Sequence, residues 1–159
     1  MKRHTLRVGF SFGLTSGVIT TLGLMIGLYS GTHSRLAVIA GILTIALADS
    51  LSDAAGIHLS EESENVHSKR EIWESTLFTF VFKALFTSTF IFPILFLEIS
   101  VALVVSVVWG LFLVSLFSYK LAKERGENPL YVIGEHVIVT LVVVIITHYI
   151  GTIINLYLG

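Results

Sequence analysis

Asp49 and Asp53 stand four residues apart within the apolar segment Ala48–Glu61, ADSLSDAAGIHLSE. On a helix turning about 100° per residue the two carboxylates lie one above the other, and Gly56, Ser60 and Glu64 continue the stripe. His58 falls on the face opposite Asp49, away from the pair. A third ionisable group, Lys83, interrupts another apolar segment and shares one side of it with Thr76, Thr79 and Thr87. Paired carboxylates with hydroxyl and backbone oxygens nearby suit a hard divalent cation. An ammonium opposite a carboxylate suits charge neutralisation in a medium that tolerates neither group alone.

That medium follows from composition. Of 159 residues, 54% are hydrophobic and 13% charged, against about 25% charged in ordinary soluble chains. Mean hydropathy is +0.87. The chain therefore reads as an all-α integral membrane protein occupying one domain over residues 1–159. The net charge of -1 and the lack of a basic run with interleaved aromatics argue against a nucleic-acid partner. Zero cysteines exclude disulfides, thiolate metal sites and cysteine nucleophiles. Met1–Arg7 leads into a long Gly-rich apolar run, which reads as a first span and not as a cleaved signal segment.

Crossing a bilayer core takes about 20 residues at about 1.5 Å each. Five segments meet that length, near residues 8–29, 36–60, 75–97, 99–117 and 130–158. In the first, Gly13 and Gly17 are four apart, as are Gly23, Gly27 and Gly31, so its backbone can approach a neighbour closely. Ser16, Thr20, Gly23 and Gly27 share a face. Trp73 stands where an interfacial anchor is expected, and Pro93 lies near the end of the third segment. Segment four carries no charged residue, with Ser106 and Ser115 as polar interruptions in its interior. Lys2, Arg3, Arg7, Lys69, Arg70, Lys120, Lys123 and Arg125 fall on one side, and Arg35 alone on the other. The positive-inside rule makes that basic side cytoplasmic, so the multi-pass chain enters the cell membrane from inside and ends outside.

Direction now permits depths to be compared. Asp53 lies seven residues before Ser60, roughly 10 Å inside the cytoplasmic end, and Lys83 lies eight residues after Ser75, roughly 12 Å inside. The two can meet. Three readings compete: a structural Asp53–Lys83 pair in a non-transporting scaffold or regulatory subunit, a cation path, and an enzyme site. In the transport reading Asp49 and Asp53 are assisted by Ser16, Thr20, Ser52 and backbone carbonyls. The enzymatic reading ranks last. The D-x-x-x-D spacing resembles half of the CDP-alcohol phosphotransferase motif, but the preceding D-G-x-x-A-R portion is absent, and aspartyl proteolysis needs aspartates on two helices. Glu61, Glu62, Glu64, His67, Glu71 and Glu74 form either an acidic vestibule or a solvated loop. His4 and His33 read as exposed polar residues. His136, beside Glu135, and His148 read as pathway, proton-relay or packing residues.

Phe12–Thr21 (FGLTSGVITT), Ser52–Ser60 (SDAAGIHLS), Pro93 and Gly126–Gly151, taken in order, resemble the vacuolar iron transporter family. The resemblance covers most of the chain. It implies a homodimeric transporter moving Fe²⁺, and often Mn²⁺, out of the cytosol with proton coupling, with no cofactor and no enzymatic activity. Ser16 stands where the family has an aspartate, Asp53 where it has a methionine, and Ile57 where it has a glutamate. Only Glu61–Glu74 replaces the family's cytoplasmic metal-binding insertion. The expected metal path therefore comprises Asp49, Asp53, Ser16, Thr20, Glu61 and Glu64. Lys83, His136 and His148 are expected to serve charge pairing or proton coupling. The slim face of the first helix is expected near the dimer contact.

Overall fold

The computed structural model describes residues 2–159, with side-chain surroundings from Arg7 onward, so the expectations for the Lys2, Arg3 and His4 side chains lie outside the described set. Helix α1 spans Lys2–Thr32, α2 Arg35–Thr44, α3 Ser50–Glu64, α4 Lys69–Thr89, α5 Ile91–Phe96, α6 Ile99–Arg125 and α7 Pro129–Leu158. A π-helical turn, Ile45–Asp49, joins α2 to α3 without a break. The described residues thus form five helices long and apolar enough to cross a membrane: Arg7–Thr32, Arg35–Glu64, Lys69–Phe96, Ile99–Arg125 and Pro129–Leu158.

Several helices run beyond the apolar windows that announce them. The second, expected to project past Ser60 into Glu61–Glu64, does end at Glu64. The third was expected to begin at Ser75 and the fourth to close at Phe117, but they start at Lys69 and continue to Arg125. Hydropathy marks the stretch that dissolves in lipid, whereas helix ends are set by caps. Ser68 accepts from the Glu71 amide while the Glu71 carboxylate accepts from the Ser68 amide, a reciprocal capping box that starts α4 early. Asn65 and Gly126, at φ 52° and 70°, end α3 and α6 in the left-handed conformation. Asn128 then caps α7, with Pro129 in the first turn. At Pro93 the missing N–H leaves Thr89 without its usual helical donor, and the third span breaks near Phe90 before resuming as α5. Trp109 Nε1 donates to Thr89 Oγ1 at 3.1 Å beside that break.

Helix α1 sits at the centre. Leu14, Val18, Leu22 and Met25 pack with Val38, Ile42, Phe90, Ile94, Ala102 and Val114 in the main core. Gly9, Gly13 and Gly17 face α4, close enough that a methyl on Gly13 would lie 2.8 Å from the Lys83 amide nitrogen. Gly23, Gly27 and Gly31 face Val143, Thr147 and Gly151 of α7. The slim face of α1, expected near a dimer contact, meets α7 of the same chain through Gly23 and Gly27. Both glycine stripes are filled within the chain, because two neighbours use the close approach that small residues allow.

Polar contacts tie matching ends together. Arg7 pairs with Glu124 at the end where α1 begins and α6 finishes. At the other end Arg35 donates to the Leu97 carbonyl at 2.7 Å and Asn155 to the Gly31 carbonyl at 3.0 Å. The basic residues Arg7, Lys69, Arg70, Lys120, Lys123 and Arg125 thus lie toward one end of the helices and Arg35 toward the other.

Candidate functional site: an intramembrane charge cluster

Lys83 is the centre of the site. Its side chain is 1% exposed and its ammonium donates to Asp49 Oδ2 at 2.5 Å and to Asp53 Oδ2. Ser16 of α1 donates to the same Asp53 oxygen at 2.7 Å. Three spans therefore converge: the third supplies the cation from α4, the second the carboxylates from its π turn and α3, and the first a hydroxyl from α1.

Local structure explains the convergence. Gly13 and Gly17 let α4 lie directly on α1, so the Lys83 backbone and stem run alongside a surface without side chains. The ammonium then projects past α1 toward α3. On the opposite side, the π turn adds a residue to one turn of the second span. The Ser50 amide reaches back five residues to the Ile45 carbonyl, and the Ser50 hydroxyl donates to the same oxygen at 3.2 Å. Such bulges shift the register of what precedes them. Asp49 closes the π turn and Asp53 sits in the first turn of α3, so two carboxylates reach one nitrogen.

Taken as ionised, the two carboxylates and one ammonium sum to a formal charge of -1. The trio is closed by α4 but open away from it: the side chains of Asp49 and Asp53 remain 37% and 23% exposed. Ala48, Ser52, Ala55, Gly56 and Ser60 are exposed along this helix, and a methyl on Gly56 would meet nothing within 4 Å.

The other expected residues fall elsewhere. Among the described residues no hydrogen bond links Thr20 to the trio. Thr21, buried, takes the polar role on α1, donating to the Gly17 carbonyl at 2.5 Å with Thr87 Oγ1 3.1 Å away. The spacing Gly13–Gly17–Thr21 carried that signal, since it continues the stripe facing α4. Glu61 and Glu64 lie two to three turns beyond Asp53. Glu61 is buried with Oε2 3.4 Å from His67 Nε2, and the exposed Glu64 lies 4.0 Å from the same nitrogen. His58 pairs with Thr76 across α3 and α4 at 3.0 Å and meets the Trp73 ring edge-on. His136 contacts Ser118 at 3.2 Å and the Val132 carbonyl at 2.8 Å, which ties α7 to α6. His148 meets Ser30 at 2.7 Å at the opposite end of the molecule from Glu124. Neither histidine contacts the trio. Among the described residues no three His, Asp or Glu side chains are grouped to hold a metal ion.

Fold and site define a helical, multi-pass class of membrane protein with a charge cluster, centred on a buried lysine, across three of its five spans. No protein-family model, curated protein or solved structure matches the chain.

Proposed function

We propose that the protein is a divalent-cation transporter of the Fe²⁺ and Mn²⁺ class, carrying ions out of the cytosol, with Asp49, Asp53 and Ser16 as the oxygen ligands. The observation that carries this reading is the convergence of two half-open carboxylates on one buried ammonium. Lys83 is a tethered cation in the place an ion would take. An arriving divalent ion competes with the ammonium for the same oxygens, and Lys83 reclaims them when the ion departs.

One chain supplies too few ligands for a divalent ion, which takes about six to eight oxygens in calcium-like sites. The reading therefore includes a homodimer in which the exposed Ala48–Ser52–Gly56–Ser60 face of the second span meets its copy. Charged groups facing lipid at mid-membrane cost at least about 2.5–3.5 kcal/mol each, so covering Asp49 is favourable. Small residues on that face permit close approach. The basic end of the helices is then cytoplasmic.

A second reading is favoured by the complete burial of Lys83: the trio is a structural clamp in a scaffold or regulatory subunit. Metal flux into proteoliposomes separates the two. Transport predicts Fe²⁺ or Mn²⁺ flux that falls to the protein-free leak in Asp49→Asn and Asp53→Asn. Unchanged flux in both variants removes the carboxylates from the mechanism, and no flux of any divalent cation by the unaltered protein favours the clamp.

A further inference from the structure

A second site lies at the Arg7–Glu124 end, apart from the charge cluster and independent of the transport reading. Helices α1, α4 and α6 bound a cleft of about 220 Å³, lined by Phe10, Phe82, Phe117 and Leu121 and rimmed by Arg7, Lys120 and Glu124. Its wall is ordered. Phe10 meets Phe82 edge-on at 5.1 Å and Phe117 at 5.7 Å between ring centroids. Among the described residues Lys120 has no acidic partner, while Arg7 is held by Glu124. A guanidinium has five N–H donors and one carboxylate does not consume them all. The rim thus sums to one formal positive charge, from two cations and one carboxylate. Both cations stand within two turns of a helix end, Arg7 in α1 and Lys120 in α6, and the aromatic wall runs from there toward the middle of the helices.

We propose that this cleft holds a single anionic phospholipid, its phosphodiester between Lys120 and Arg7 and the start of an acyl chain along Phe10, Phe82 and Phe117. Charge complementarity selects the occupant. A zwitterionic headgroup adds a positive charge beside two cations, whereas an anionic one leaves the rim neutral. Basic pockets between spans commonly recognise anionic headgroups in this way.

Native mass spectrometry of the full-length protein, released from nanodiscs of equal parts phosphatidylglycerol and phosphatidylcholine with matched chains, tests the proposal. One phosphatidylglycerol should be retained in preference to phosphatidylcholine. Lys120→Ala should reduce that retention by about fivefold, the scale of one basic residue at a membrane surface. Glu124→Gln should raise it, because it frees Arg7 and makes the rim more positive. Lys69→Ala, an exposed basic residue outside the cleft, should leave it unchanged. Both rim residues are exposed and outside the core, so the variants retain the fold. Equal retention of the two lipids, an equal loss in Lys69→Ala, or a loss in Glu124→Gln overturns the proposal. Equal displacement of the lipid by soluble glycerol phosphate overturns the acyl-chain part.

Discussion

Lys83 decides the character of the site at the scale of single residues. A buried ammonium is tolerated because two carboxylates meet it, and removing one side of such an arrangement leaves the other uncompensated, at about 3–5 kcal/mol. Lys83→Met should therefore destabilise the protein by about that amount, measured as a loss of thermal or denaturant resistance in detergent. The triple variant that adds Asp49→Asn and Asp53→Asn should recover most of the loss. No recovery would show that an uncompensated charge is not the source of the loss. Asp53 shares its oxygen with Ser16 and is more enclosed than Asp49. Asp53→Asn should accordingly cost more stability than Asp49→Asn. The residue types of the trio were legible in sequence, since ionisable groups in apolar runs stand out. The depth estimate brought Lys83 and Asp53 to the same level, but it could not show that Asp49 also reaches Lys83.

Elements bring these residues together through close backbone approach and deliberate irregularity. A methyl group on Gly151 would collide with the Gly27 carbonyl oxygen and press on Gly31. Backbone cannot yield as a flexible side chain does, so Gly151→Ala should destabilise by about 1–3 kcal/mol. Gly56→Ala should instead stabilise the isolated chain by up to about 1 kcal/mol, because its surroundings are open and alanine favours the helix; thermal unfolding of the two variants side by side checks the contrast. At the α5–α6 junction Glu98 accepts from the Ser100 and Val101 amides at 3.0 and 3.3 Å. Its backbone bond to Ser100 is the main reason its carboxyl titrates below the ordinary 4.5, outweighing desolvation. A lowered folded value means that the cap is fully effective above about 4.5 and lost as pH falls through the folded value. Amide exchange at Ser100 and Val101, corrected for its intrinsic pH dependence, should therefore lose protection in acid, and Glu98→Gln should flatten that response. The π turn had no signature in periodicity. It inserts one residue into a helix that is otherwise regular on both sides, which leaves the apolar pattern nearly intact.

For the whole molecule, the testable matters are which faces meet other bodies and which end is which. The absence of cysteine makes single-cysteine mapping direct. If the second span forms the homodimer face, Ser52→Cys should cross-link to its copy under mild oxidation, and Trp109→Cys on α6 should not. Cross-linking at Trp109 alone would relocate the interface. Lys120→Cys should react with an impermeant thiol reagent only when the cytoplasmic side is accessible, and Arg35→Cys only from the opposite side. The reverse pattern would invert the assigned orientation.

By itself the sequence determined the class of fold, because five apolar runs of membrane length leave the backbone no solution in lipid except helices that satisfy their own hydrogen bonds. It also marked Asp49, Asp53 and Lys83, since the cost of charge in an apolar run is a property of composition. Which surfaces of α1 meet neighbours was decided only by tertiary structure. Gly13–Gly17 and Gly23–Gly27 look alike as spacings, and whether each contacts another span or another chain depends on the competition among all five helices for close contact. The joint hold on Lys83 was decided there too. It needs a π turn in one span, glycines in a second and a long side chain in a third, and no local pattern contains all of them.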